Sequence, residues 1–376
     1  MIQFNPFVIE GYLSPEYFCD RREETALLIE HLTNQRNVSL IAKRRLGKSG
    51  LIHHCFAQPL ISENYYTFYV DIYDTKNLAE LTFELGKCIL SGLKSTGRKS
   101  WEGFINVLKS LKSSITFDIN GIPEWSISMG EIVTPDITLD EIFTYLEHAD
   151  KPCIVAIDEF QTIADYQEKT VEATLRKRIQ NCHNVHFVYS GSKRHMMTEM
   201  FLTKSRPFYN SSVMMGLEAI DEEEYFTFAN SHFAYNAQSI SKEAFSYLYQ
   251  KYEGTTWNIQ YILNVLYTTK SSEITFQEKD IETATETILQ RNTFAYKSLL
   301  YQLSPKQKHL LYAIAKEGKA QSIMSQRFLN KHKMTSSAVQ GALKVLLDRD
   351  FVSNDDGVYY VYDKFFELWL NSILSK

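Results

Sequence analysis

Short continuous apolar runs alternate with helix-period patterns along the first half of the chain. Val38-Ser39-Leu40-Ile41-Ala42 reads as a buried strand, and a helical pattern from Ser49 to Ala57 follows it. Tyr65 to Ile72, Cys153 to Ile157 and Val185 to Tyr189 are further runs of the same kind. Runs apolar on both faces predict parallel strands covered by helices, an α/β fold. Between them, helical patterns run from Asp20 to Thr33, Leu78 to Leu93, Thr138 to Asp150 and Thr170 to Cys182. Asp20 is the expected N-cap of the first, with Glu23 as its capping-box partner.

Ser95 to Thr138 is poorer in pattern. Two alternating stretches around Asn120-Gly121 predict a hairpin there, with Pro123 on an edge. We read 95–137 as an insertion on the core. From Asp221 to Tyr301 the pattern is helical, interrupted near Gly254. It changes again at Ser304, where helices are predicted from Pro305 to Glu317, Ser322 to His332 and Thr335 to Arg349. A hairpin around Asn354-Asp355-Asp356-Gly357 follows. Helix, helix, helix, hairpin is the winged-helix order. The last helix, Asp363 to Leu374, is apolar almost all round and should pack into a neighbouring surface. The expected division is an α/β core over 1–215, a helical lid over 216–302 and a winged helix over 303–376.

A chain of 376 residues is too long for one ordinary core, which agrees with that division. The net charge of −5 is uneven: residues 304–376 hold eleven Lys/Arg against seven Asp/Glu. Nucleic-acid binding by the whole chain is not indicated, and a local contact from the C-terminal segment stays open. Five scattered cysteines without a CxxC pair suggest neither a disulfide framework nor a zinc site. No signal peptide and no membrane-length apolar run is visible, so a cytoplasmic location is expected.

The chemistry concentrates where strands end. Ala42-Lys43-Arg44-Arg45-Leu46-Gly47-Lys48-Ser49-Gly50 joins a strand to a helix and closes in Gly-Lys-Ser, the pattern of a phosphate-binding loop. Backbone N–H groups of such a loop face phosphate oxygens. Lys48 would reach the β- and γ-phosphates, and Ser49 would hold Mg²⁺. Ala42 stands where the usual pattern has its first Gly, a departure that costs energy if the position is left-handed. The run Cys153 to Ile157 ends in Asp158-Glu159. Asp158 is the expected second Mg²⁺ ligand and Glu159 the general base for an attacking water.

Other candidates follow from position. Phe18 and Arg21, in the lead-in, are candidates for contact with a nucleotide base, and packing is the competing reading. Ser190 and Ser192, after a later strand, could position the hydrolytic water, and we prefer Ser192. Lys193, Arg194 and Arg206 could reach a phosphate as an arginine-finger cation, with Arg206 first. In the third helix of the winged-helix segment, Ser336, Gln340 and Lys344 share a face that is sparse in base-reading residues.

Asn5-Pro6-Phe7, Phe18-Cys19-Asp20-Arg21, the Lys43–Ser49 loop, Ile157-Asp158-Glu159-Phe160-Gln161, Ser190-Gly191-Ser192 and the ending Tyr362 to Leu370 resemble a group of prokaryotic P-loop ATPases. That group belongs to the AAA+/STAND-like superfamily related to archaeal ATPases and replication initiators. The resemblance implies a P-loop core, a helical lid and a winged helix, with ATP and Mg²⁺ as ligands and Ser192 as a sensor of the γ-phosphate. It departs at Ala42 and at Thr256, where many relatives place Pro. The functions in play are a nucleotide-driven switch with slow or partner-activated ATP hydrolysis, a DNA-binding regulator with a secondary ATP site, and a P-loop small-molecule kinase. A protein partner is expected, DNA is open through the winged helix, an oligomer is open, and no membrane contact is expected.

Overall fold

The computed structural model describes residues 4–94, 97–110, 115–118, 121–125, 132–269 and 273–374. They form two compact units, Glu10–Glu224 and Met1–Ile9 with Tyr225–Lys376.

In the first unit the chain runs through α1 (Arg22–Thr33), β1 (Val38–Ala42), α2 (Lys48–Ala57), α3 (Pro59–Ser62), β2 (Tyr66–Asp71), α4 (Leu78–Lys94) and α5 (Arg98–Val107). A hairpin of β3 (Ile115–Phe117) and β4 (Pro123–Trp125) precedes α6 (Pro135–Glu147). Then come β5 (Cys153–Asp158), α7 (Val171–Gln180), β6 (Val185–Gly191), α8 (Arg194–Leu202) and β7 (Val213–Leu217). Five parallel strands form one sheet in the order β2-β5-β6-β1-β7. β1, β5 and β6 are buried throughout, which explains their unbroken apolar sequences. Successive side chains serve opposite faces: Ile154 and Ala156 join the core with Leu40 and Leu51, while Val155 and Ile157 join that with Leu85 and Leu139. Ligands of such sheets meet the carboxyl ends of the strands, and β6 brings those of β1 and β5 to either side of itself.

Several expectations need correction. Asp20 does not cap α1: Arg21 holds the N-cap position at φ +64, with no side-chain cap bond. Asp20 is itself left-handed at φ +51, so a tight turn replaces the capping box. The pattern-poor stretch contains α5, whose Trp101 and Phe104 are buried. The predicted hairpin forms, although Asn120 of its turn and Ser126 to Ser128 lie outside the described residues. β7 extends the sheet where no strand was expected.

The second unit begins within α9 (Glu222–Phe233). It continues through β8 (Gln238–Ile240), α10 (Lys242–Lys251), α11 (Thr256–Tyr267), β9 (Ile274–Phe276) and α12 (Glu278–Tyr301). β8 and β9 pair in parallel, a small sheet inside the stretch expected to be wholly helical. Thr256 occupies the first helical position of α11, a place that would also suit proline. The C-terminal part holds α13 (Pro305–Glu317), β10 (Ala320–Gln321), α14 (Gln326–Lys331), α15 (Ser336–Asp348), β11 (Val352–Asp355), β12 (Val358–Val361) and α16 (Lys364–Leu374). Its antiparallel sheet, in the order β10-β12-β11, is the wing of a winged helix.

Two sets of contacts hold this unit. Phe7 is buried beside Phe233, with ring centroids 4.9 Å apart, and edge-on to Tyr267. Asn5 Nδ2 donates to the Asn264 carbonyl at 2.9 Å, and Asn264 Nδ2 donates to that of Phe7 at 2.7 Å. Asn5-Pro6-Phe7, expected within the 1–215 core, is instead an anchor of the second unit. α16 packs as its composition predicts: Phe365 lies among Tyr252, Trp257 and Tyr261, and Tyr296 lies against Phe366 and Trp369. The buried rings of Phe365 and Phe366 each contribute roughly 1.5–3 kcal/mol. No helix among the described residues is long and apolar enough to cross a membrane.

Candidate nucleotide-binding site

β1 ends at Ala42, the last extended residue before the loop, so the missing glycine costs nothing there. The left-handed positions come later, Arg45 at φ +69 and Gly47 at φ +92. A Cβ on Gly47 would meet nothing within 4 Å, so glycine is favoured there for its backbone freedom. Gly47 is the N-cap of α2, and its carbonyl accepts from the Leu51 N–H at 2.9 Å. The first N–H groups of α2 have no acceptor within their own helix, a setting that favours an anion.

Lys48 is buried, with its Nζ against Asp158 Oδ1. It also lies 3.2 Å from Ser190 Oγ and 3.7 Å from Glu159 Oε1. Ser49 Oγ donates to Asp158 Oδ2 at 2.9 Å. Ser190 and Tyr69 also donate to Asp158, one to each oxygen. Burial alone would raise the Asp158 pKa, but the Lys48 ammonium and these donors hold it at about 2. The ionised carboxylate beside a hydroxyl, at a helix N-terminus, is a hard oxygen-donor set of the kind that suits Mg²⁺.

Glu159 follows in a left-handed turn at φ +54. Its Oε2 accepts from Ser192 Oγ at 2.8 Å and from Gln161 Nε2 at 2.5 Å. Arg44 Nε in turn donates to Ser192 Oγ at 3.2 Å, and its guanidinium lies 5.2 Å from the centre of the Tyr73 ring. The loop, both acids, both serines and Arg44 thus form one connected network.

Phe18 stacks on His54 with centroids 4.3 Å apart, and His54 is hydrogen-bonded to Tyr12. A Cβ on Gly50 would lie 3.2 Å from the Phe18 ring, so Gly50 lets that ring settle on α2. Arg21 is buried and braces the loop: it donates to the Leu46 carbonyl at 3.2 Å and the Glu218 carbonyl at 2.6 Å, and pairs with Glu24. Lys43 is exposed at the loop's start. Arg206 is not in the network; it pairs with Glu172 at 2.5 Å and Glu199 at 3.5 Å. Lys193 and Arg194 make exposed pairs with Asp165 and Glu218.

Sequence reasoning missed Tyr69 and Gln161. Tyr69 sits in an aromatic strand that reads as core. Gln161 had one signal, a polar side chain two residues after paired acids at a strand end.

Residues 294–372 match a family model described as a "probable winged helix domain". No curated protein matches the chain. Among solved structures, the chain is similar to the Walker-type ATPase of Pyrococcus abyssi, with TM-score 0.65 and 16% identity over 97% of this chain and 99% of that one. It is also similar to the Aeropyrum pernix ORC2 protein in its ADPNP–ADP complexes, with TM-score 0.55 and 14% identity over 99% and 98% of the two chains. The Aeropyrum pernix ORC1 protein in complex with DNA aligns with TM-score 0.54 and 12% identity over 95% and 94%. These likenesses place the fold alone: the chain has a parallel-sheet α/β core arranged like those of these solved structures, followed by a winged-helix domain.

Proposed function

We propose that this protein binds ATP with Mg²⁺ and hydrolyses it, slowly or on activation, as a nucleotide-driven switch. The observation that carries the reading is the convergence of Lys48, Ser49 and Ser190 on Asp158, with Glu159 beside them. The Ala42–Gly50 loop and the start of α2 would cradle the phosphates, with Lys48 on the β- and γ-oxygens. Ser49 and Asp158 would hold Mg²⁺, which supplies charge neutralisation on the phosphates. Glu159 takes the proton of the attacking water, and Ser192 orients the γ-phosphate side of the site. Phe18 lies against α2 where a base could reach it, and Arg21 keeps the loop in place. Arg206 as a cation acting across a subunit boundary, operation in the cytoplasm, assembly into an oligomer and a protein partner belong to the same reading.

The experiment is calorimetric titration with ATP and Mg²⁺, beside a phosphate-release assay. Wild type is expected to bind. Lys48→Ala is expected to lose on the order of 30-fold or more in affinity, since it removes a charged partner from a desolvated site. Equal affinity in both would sink the proposal.

DNA is the second reading. A winged helix, and a similar fold whose structure was solved with DNA, favour it. The surface of α15 argues for weak binding: its exposed polar residues are Ser336, Ser337, Gln340, Lys344 and the acidic Asp348, while nearby Lys331 is paired to Glu317. Duplex binding with a steep salt dependence would support this reading.

A further inference from the structure

We infer that Gln161 is the positioning residue of Glu159, fixing Oε2 so that Oε1 is the atom that takes the proton from water; the inference rests on the ATPase reading above. Gln161 lies in the short turn Phe160–Asp165 after β5 and is 2% exposed. The turn opens at the left-handed Glu159, whose carbonyl accepts from Thr162 N–H at 2.9 Å, and this curl returns the side chain two residues on to Glu159 itself.

The amide orientation follows from its partner. Nε2 lies 2.5 Å from the Glu159 carboxylate, and the flipped amide would set two acceptors face to face. Ser192 donates to the same Oε2, so two fixed donors hold that oxygen. Oε1 is left facing Lys48 at 3.7 Å, the side from which the γ-phosphate would be held. The transfer then balances. A water O–H breaks with its proton going to Oε1, the water oxygen bonds phosphorus, and the bridging bond breaks with its electron pair leaving on ADP.

Two further observations set Gln161 apart from ordinary packing. Its Oε1 is buried without a hydrogen-bond partner among the described residues, a cost to folding that an apolar side chain would avoid. The end of β6 is also kept clear for it, since a Cβ on Gly191 would run into Gln161 Oε1 and the Met197 sulfur.

The test is a double-mutant cycle with single-turnover hydrolysis and nucleotide affinity as separate readouts. Gln161→Met keeps length and loses the donor; Gln161→His restores an N–H. The Met variant is expected to lose about 10-fold or more in kcat with ATP affinity held within about 2-fold, and the His variant to recover part of the loss. In a Glu159→Gln background the same Met change should cost less than about 2-fold. Equal losses in both backgrounds, or kcat and affinity falling together, would overturn the inference. If Gln161→Met does not fold, Gln161→Leu, apolar and without a donor, takes its place. If wild type binds no ATP, the ATPase reading fails by itself; if it binds ATP without turnover, hydrolysis cannot be the readout. A crystal structure of the Gln161 variant then decides the positioning: a Glu159 carboxylate still between Ser192 and Lys48 contradicts it, and a displaced one supports it.

Discussion

Ser49 donates to one oxygen of Asp158 at 2.9 Å while the ammonium of Lys48, buried from solvent, meets the other. Two loop residues that would hold a nucleotide and its metal are thus held by one carboxylate far along the chain. On the proposed reading, ATP would draw Lys48 toward phosphate, and the site would exchange one set of charge partners for another.

Removing either partner of that pair strands a buried charge. Lys48→Met is expected to destabilise the nucleotide-free protein by about 3–5 kcal/mol. Adding Asp158→Asn should restore much of the loss, because the stranded carboxylate goes with it. Urea denaturation of both single variants and the double variant checks this. Strictly additive losses would contradict it.

Phe7 makes a second prediction, since it is a fully buried ring within the second unit. Phe7→Ala should cost about 3–5 kcal/mol, by lost transfer energy and the cavity left behind. Calorimetry would show the transition of that unit moving to lower temperature. An unchanged profile would mean that the anchor is not formed in solution.

Stability should also depend on pH. Burial holds the imidazoles of His186, His53 and His54 below their ordinary value of 6.5, with Asp158 opposing the effect at His53. The unfolded chain binds protons near 6.5 that the folded chain takes up only at lower pH, so stability is lost as pH falls through that window. The urea midpoint should drop between about pH 7.5 and about pH 5.5, and His186→Leu should flatten the drop. Parallel slopes would contradict the assignment to His186.

What could be read from the sequence was what local chemistry decides. The strand-loop-helix of Val38 to Ala57 and the acids after β5 each sit in one continuous stretch whose pattern carries its own context. The winged-helix order was legible for the same reason. What escaped depends on chain segments meeting. Asn5 and Phe7 find Asn264 and Phe233 across most of the chain, and no local period marks that. Tyr69 reads as one more core aromatic until β2 is set beside β5, where its hydroxyl reaches Asp158. β8 and β9 are three residues each, too short to break a helical pattern. The left-handed Arg21 removed a cap that the residue types had suggested.

The most direct measurement is ATP hydrolysis by purified wild type beside Glu159→Gln, with ATP binding followed in parallel. The account predicts turnover in wild type, a loss on the order of 100-fold or more in the variant, and binding kept in both. Wild-type turnover that survives Glu159→Gln would contradict the assignment of Glu159 as the base and, with it, the central claim.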